Sequence, residues 1–268
     1  MAAAAQQHFR QAARRRRRLQ ISLGLLSVAI VCATYTVVSE LPSSNPAVLP
    51  PPSRIAGGVI KGINDGSLLE ATTASLGRVA VGYAIGCAIA IILGSLRGWY
   101  TIIGYLLDPI VDALRPVPAL AYIPLVILWF GIGESARILV IGFASFLSCT
   151  VSVTAGMKEV PSVYVDAART LGASQLRVFL TVAIPASLPY IFAGLRVALG
   201  AAWGTLVAAE LIAAQSGLGF LLQTGQMFFR SEIVITALIV IGLVGFLMDA
   251  LLLALQTRLL RWSATVRG

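Results

Sequence analysis

The chain has little charge for its size. Of its 268 residues, 12% are Asp, Glu, Lys or Arg and 58% are hydrophobic, with a mean hydropathy of +0.89. A soluble domain carries roughly 25% charged residues. The shortfall excludes a disordered chain and argues against a soluble enzyme. Histidine is nearly missing: His8 is the only one, in a polar N-terminal stretch. A His-based triad or a His-rich metal site therefore has no material. Cys32, Cys87 and Cys149 lie far apart in apolar runs with no CxxC spacing, so they read as small packing residues. Lysine is scarce too. Lys61 follows Ile60 and Lys158 follows Met157, so neither completes the Gly-Lys-Ser/Thr of a phosphate-binding loop.

Positive charge is plentiful. Twenty Arg and Lys against eleven acids give a net +9 and a pI near 10.1. In so apolar a chain, arginine can mark one side of a membrane as well as a nucleic-acid surface.

The hydrophobic runs decide between these. A spanning helix needs about 20 mostly apolar residues. The first run, 19–39, follows the block Arg14 to Arg18, is full length and lacks an A-x-A exit. It predicts a retained anchor rather than a signal peptide. Residues 41–53 hold Pro50, Pro51 and Pro52 and predict a loop. Residues 55–63 are mildly amphipathic and fit the membrane interface. Further spans are predicted at 75–96, 117–132, 138–156, 187–209 and 233–256. In the second, Gly82, Gly86 and Gly94 fall on a four-residue grid that permits close helix packing. The third is short. Its helix is expected to begin near Ile103 and to be interrupted by Pro116, Pro118 and Pro124, which places it inside the bundle.

The chain thus divides into a basic tail at 1–18, a first transmembrane helix at 19–39 and an outer loop with an interfacial helix at 40–74. A core of five more spans follows at 75–257, with a long loop at 157–185, and then a tail at 258–268. With the N-terminus inside, fourteen cations fall in inside segments and five outside, which favours N-in and C-in. The basic N-terminus fits anionic lipid. No aromatic or basic partner segment accompanies it, so no nucleic-acid partner is expected.

The loop between the fourth and fifth spans is unlike a plain connector. Pro161 and Ser162 can start a helix that runs to Leu171, where Gly172 can supply a left-handed cap. Val160, Val163, Ala167 and Leu171 form an apolar stripe. A second short helix is expected from Ser174 to Leu180, stopping before Pro185. On pattern alone, the stripe fits either the membrane interface or a groove on a cytoplasmic partner.

Asp166-Ala167-Ala168, three residues, Gly172, nine residues and Val182-Ala183-Ile184-Pro185 resemble the EAA loop of ABC-importer permeases, E-A-A-x3-G-x9-I-x-L-P. The spacing matches throughout. Asp166, Val182 and Ile184 replace Glu, Ile and Leu. Leu107-Asp108-Pro109, the run 114–121, Ile123-Pro124-Leu125, the run 128–133, Gly194-Leu195-Arg196, the run 203–210 and Gly217-Leu218-Gly219 resemble the taurine, sulfonate, nitrate and bicarbonate branch. The likeness covers residues 45–262.

The resemblance implies an all-α membrane protein with six transmembrane helices, N-in and C-in, in the type I ABC-importer permease fold. It implies a homodimeric path for a small anionic or zwitterionic solute, taurine or an alkanesulfonate first, nitrate or bicarbonate second. Thiamine-precursor and aromatic-acid relatives are further possibilities. Two cytoplasmic ATPases, which would hold the ATP and Mg, and a periplasmic or lipid-anchored binding protein would complete the importer in the bacterial inner membrane. The chain itself would be no enzyme and hold no cofactor. Val163, Asp166, Ala167, Ala168, Leu171, Gly172 and Pro185 are the expected ATPase-coupling residues.

Two charges fall deep in spans. Arg196 and Asp249 lie about 12–15 Å from the inner surface and are expected to face each other, as a packing pair or as an anion-attracting group on the path. Arg115, Pro118, Pro124, Trp129 and Glu210 are the other path candidates. Trp129 would plug the outer end or sit in the interfacial aromatic belt. Residues 213–229 predict a re-entrant or outward-facing segment, with Gln215, Gly217, Gly219 and Gln223 as candidate binding-protein contacts. An intramembrane protease would need paired catalytic groups, and no His or Lys lies in a span. An ion channel would not need the long helical loop.

Overall fold

The computed structural model describes residues 2–41 and 44–262. Arg267 and the rest of 263–268, and Pro42 and Ser43 of the proline-rich loop, lie outside the described residues, as do the side chains of residues 1–18, 20, 21 and 213. The described residues are helical, without strands. Eleven α-helices follow in order: α1 Ala2–Ser39, α2 Pro52–Asn64, α3 Ser67–Trp99, α4 Thr101–Leu114, α5 Ile123–Phe130, α6 Glu134–Lys158, α7 Ser162–Thr170, α8 Gln175–Val178, α9 Ile184–Ala213, α10 Leu218–Met227 and α11 Ser231–Leu259. A 3₁₀ turn, Ala119–Tyr122, precedes α5, and a π-helical turn, Phe179–Ala183, joins α8 to α9.

Five helices are long and apolar enough to cross a membrane, or six if α4 and α5 count as one broken span bent by 85°. Each expected span except the third runs longer than its apolar run, because polar ends continue the helix. α1 shows this most: its backbone stays helical through the arginine block.

α6 is the central helix, and α3 and α9 pack along it. Small residues let them approach to backbone contact. A methyl on Gly82 would lie 2.8 Å from the Ile138 carbonyl, and one on Gly86 would overlap the Gly142 carbonyl. The Thr154 hydroxyl donates to the Gly94 carbonyl at 3.2 Å, tying the same pair of helices lower down. Lipid gives no hydrophobic drive between helices, so close van der Waals packing of this kind holds them. Cys87 and Cys149 are buried beside Ala90 and Val153 at this contact, as small packing residues. Cys32 is exposed on α1.

α11 closes the core over Leu199, Trp203 and Leu206 of α9 with one face and leaves the other exposed. α1 is almost wholly exposed between Ser22 and Ser39. The Tyr35 hydroxyl, which donates to the Pro50 carbonyl at 2.7 Å, ties its end to the loop before α2.

Two expectations need correction. Pro124 does not break a helix. It occupies the first turn of α5, where its missing N–H would have no partner anyway. The break lies at residues 115–118, between α4 and the 3₁₀ turn. Pro185 does not end the helix from Ser174. The wider π turn carries the chain past it, with the Ile184 N–H donating to the Phe179 carbonyl, and Pro185 sits in the first turn of α9. Within the segment at 213–229, residues 218–227 form a helix, α10, packed on α9 and α11.

Candidate functional site

The loop after α6 is built as a compact unit. Pro161, extended, starts α7. The helix ends at Leu171, and Gly172 takes φ +80°, a left-handed conformation that costs other L-residues about 1–2 kcal/mol. There the Gly172 N–H donates to the Arg169 carbonyl at 2.9 Å and the Ala173 N–H to the Ala168 carbonyl at 3.1 Å. These two bonds close the helix C-terminus. The Ser174 hydroxyl then accepts from the Arg177 N–H and starts α8.

One face of α7 is buried and the other is open. Val165 points inward at 9% exposure, and Ala168 is half-buried. Val163, Tyr164 and Leu171 stand exposed at 70%, 58% and 88%, with Asp166 and Ala167 exposed beside them. Leu176 and Leu180 of the following turns extend this apolar surface.

The loop is fixed to the bundle through Phe179. Its ring lies 6.1 Å from Trp99 and 5.7 Å from Tyr100, at the junction of α3 and α4. Met157 of α6 and Ala183 complete the cluster. At the same junction Arg97, 8% exposed, pairs with Asp108 and, at 3.1 Å, with Asp112. Neither the Phe179 anchor nor the Arg97 clamp was read from the sequence. The apolar Phe179 followed by Pro185 was the available signal for the first, and Arg97 with two acids eleven and fifteen residues on for the second.

The opposite end of the bundle carries a second charge network. Glu210 of α9 has no exposed surface. It accepts from Arg78 Nη1 at 2.6 Å, from the Ser75 hydroxyl at 2.8 Å and from the Gly219 N–H at 2.8 Å. Arg78 reaches Glu134 with Nε at 2.6 Å and Nη2 at 2.7 Å, and Ser216 with its remaining N–H groups. Ser75 in turn accepts from the Leu218 N–H at 2.8 Å, so the start of α10 is held by α3 and α9.

This corrects the reading of three residues. Glu210 is locked inside protein rather than facing an open path. Gly217 and Gly219 are buried against it: a methyl on Gly217 would overlap the Glu210 carboxylate, and one on Gly219 would lie 2.6 Å from the Glu210 Cβ. They do not offer a docking surface. Gln215 is exposed and Gln223 half-buried, apart from that cluster.

Arg196 and Asp249 meet as expected. Nε and Nη2 of Arg196 donate to the two carboxylate oxygens at 2.7 Å each. The pair is 40% and 37% exposed on the flank of α9 and α11. It borders an open cavity of about 340 Å³ with Trp203, Gly200 and Gly245. Arg115 and Pro118 share another of about 330 Å³, against Leu147 and Ser148 of α6 and Gly204 and Thr205 of α9. Trp129 stands apart at 67% exposure.

Residues 83–261 match the family described as binding-protein-dependent transport system inner membrane component. The chain belongs to this permease family. The permease is 38% identical over 253 residues to the taurine transport system permease protein TauC of Escherichia coli (strain K12), covering 92% of each chain. It is 33% identical over 245 residues to the putative aliphatic sulfonates transport permease protein SsuC of Bacillus subtilis (strain 168), covering 91% of this chain and 89% of that one. Its fold resembles a crystal structure of the inward-facing MetNI methionine ABC transporter. The TM-score is 0.64 at 19% identity, over 72% of the permease and 95% of that chain. The permease therefore has the type I ABC-importer fold. It is an ABC-importer permease of the branch that holds those taurine and sulfonate proteins.

Proposed function

We propose that this permease forms, as a homodimer, the path of an ATP-driven importer for taurine or an alkanesulfonate delivered by a binding protein. The observation that carries the proposal is the open face of α7. Val163, Tyr164 and Leu171 expose apolar surface on a short, well-capped helix between two spans. A helix of this kind laid into a groove is a recurring recognition mode. Asp166, Ala167 and Ala168 carry the permease signature on the same helix, and the small alanines let a groove wall come close.

ATP and Mg sit in two separate ATPase subunits, and this chain contributes no hydrolytic group. Closure of the ATPase dimer draws α7. The pull passes through Val165 and Phe179 to Trp99 and Tyr100, and so to α3 and α4 together. The π turn between α8 and α9 is the compliant element, since wide turns of this type interrupt regular hydrogen bonding. Two access states of the bundle, biased by ATP at one end and by the binding protein at the other, give alternating access.

Orientation follows from the two charge clusters. Arg97, Arg169 and Arg177 belong to the α7 end, which is cytoplasmic. Arg78 and Arg137, neutralised by Glu134 and Glu210, belong to the outer end. The residues proposed along the path are Arg115, Pro118 and the Arg196–Asp249 pair. Gln215, just before α10, and Gln223, on α10, remain the proposed binding-protein contacts. The substrate class rests on the TauC and SsuC likenesses and is compatible with a cation such as Arg196 beside an anionic group.

The test is uptake by proteoliposomes holding the permease, its ATPase and its binding protein. Uptake of labelled taurine or an alkanesulfonate that needs ATP and the binding protein is expected. Uptake of nitrate or bicarbonate alone would move the substrate to the other members of the branch, and ATP-independent flux would reject the importer.

A further inference from the structure

A separate cavity of about 420 Å³ lies at the outer end of the bundle, away from α7, between α2, the start of α3, α10 and the first turns of α11. Its composition is unlike that of a packing gap. On α2 and its C-terminal cap, Arg54, Gly58, Lys61 and Asp65 recur at offsets of four, three and four residues and so share one helix face. Gly57 and Gly62 flank that face and leave it low. Arg230, just before α11, approaches from the other wall.

Arg54, Lys61 and Arg230 are exposed at the rim, and none has an ion-pair partner among the described residues. Two acids also line the cavity. The Asp65 carboxylate is engaged by Ser67, accepting its hydroxyl at 2.6 Å and its N–H at 3.0 Å, which holds its pKa below the ordinary value. Glu232 sits in the first turn of α11, where a carboxylate answers the helix dipole. The three cations exceed the two acids by one charge, with Asp65 ionised and attracting Lys61.

The floor supplies an independent sign. Thr236 is 5% exposed, and its Oγ1 has no hydrogen-bond partner. A helical threonine ordinarily bonds a carbonyl one turn back. Here the hydroxyl instead faces Gly58, where a methyl would stand 3.1 Å from Oγ1. A buried hydroxyl left without a partner is unfavourable, and a ligand atom reaching from this cavity in between α2 and α11 would satisfy it.

We propose that this cavity binds an oxyanion, a phosphate or sulfonate group. Arg54, Lys61 and Arg230 hold it at the rim, and the Thr236 hydroxyl donates to it from the floor. Such charge-assisted bonds are the strong ones for this chemistry. The group has two available sources. It is the headgroup of a phospholipid, whose chains would cover Ile60 and Ile63, exposed at 59% and 61% on the far side of α2, or it is a small free anion.

The experiment measures binding to the full-length permease and does not depend on transport. In one arm, phosphatidylglycerol retained from nanodiscs is counted by native mass spectrometry. In the other, inorganic phosphate and methanesulfonate are titrated, each alone, into protein in lipid-free maltoside detergent. The comparisons are Lys61→Gln/Arg230→Gln and the near-isosteric Thr236→Val. Charge-assisted bonds of this strength predict at least about tenfold weaker binding for the double variant, and measurable weakening for Thr236→Val. Loss in the lipid arm alone identifies a headgroup site, and loss in the titration arm alone a free-anion site. Binding that neither variant changes, or wild-type protein that binds none of the three probes, overturns the proposal. If the double variant does not fold, Thr236→Val decides alone.

Discussion

Arg78 donates to Glu210 at 2.6 Å at a point where Glu210 has no exposed surface. The pair links α3 to α9, and through Ser75 and the Gly219 N–H it also holds α10. Removing one member of a buried pair costs about 3–5 kcal/mol, because the other charge is left uncompensated. Arg78→Met is therefore expected to destabilise the permease by about that amount, read as a fall in melting temperature in detergent. Glu210→Gln keeps the hydrogen bonds to Ser75 and Gly219 in reach and should cost less. An unchanged melting temperature in Arg78→Met would show that the network contributes nothing to the fold.

The contact of Gly86 with Gly142 sets the spacing of α3 and α6. Gly86→Val is expected to cost at least the 1–3 kcal/mol typical of overpacking, since the obstacle is backbone rather than a movable side chain. Gly77 has nothing within 4 Å of an added methyl, so Gly77→Ala is the control and should be neutral. Equal melting temperatures for the two variants would contradict the packing.

Arg196 and Asp249 form a two-bond pair that is more than a third exposed in one chain. A path role and a packing role separate on a charge swap. Arg196→Asp/Asp249→Arg preserves a pair but turns the field around. If Arg196 faces the solute, the swap restores folding lost in Arg196→Ala while the KM for an anionic solute stays raised. Full recovery of uptake by the swap would leave the pair a packing device.

Some of this arrangement was legible in the sequence. The Gly172 cap followed from a helical stripe that ended at a glycine. The Arg196–Asp249 pair followed from two isolated charges at matching depth, since a lone charge in hydrocarbon is costly. Glu210, Gly217 and Gly219 were misread because burial is decided by residues far away in the chain. Nothing in the 210–219 segment announces that Ser75 and Arg78 lie against it. Pro185 was misread for a related reason. A proline ends a regular α-helix, but one π turn, which leaves no periodic signature, carries the chain past it.

The buried anchor of α7 bears on coupling. Val165→Gly removes the inward side chain and loosens the helix. Phe179→Ala removes the ring that meets Trp99 and Tyr100. Both are expected to leave ATPase binding largely intact while ATP hydrolysis no longer drives uptake. The measurement is the ratio of solute taken up to ATP hydrolysed in proteoliposomes. An unchanged ratio in both variants would mean that force does not pass through this cluster.

The exposed face of α7 is proposed as the place where an ATPase takes hold. Its most direct test is co-purification of the ATPase with the permease, comparing wild type with Val163→Asp/Leu171→Asp. Both side chains are largely exposed, so the variant should fold, insert and melt as wild type does. Wild type is expected to retain the ATPase through gel filtration and the variant to lose it. An ATPase that stays bound to the variant at wild-type stoichiometry would mean that it takes hold elsewhere.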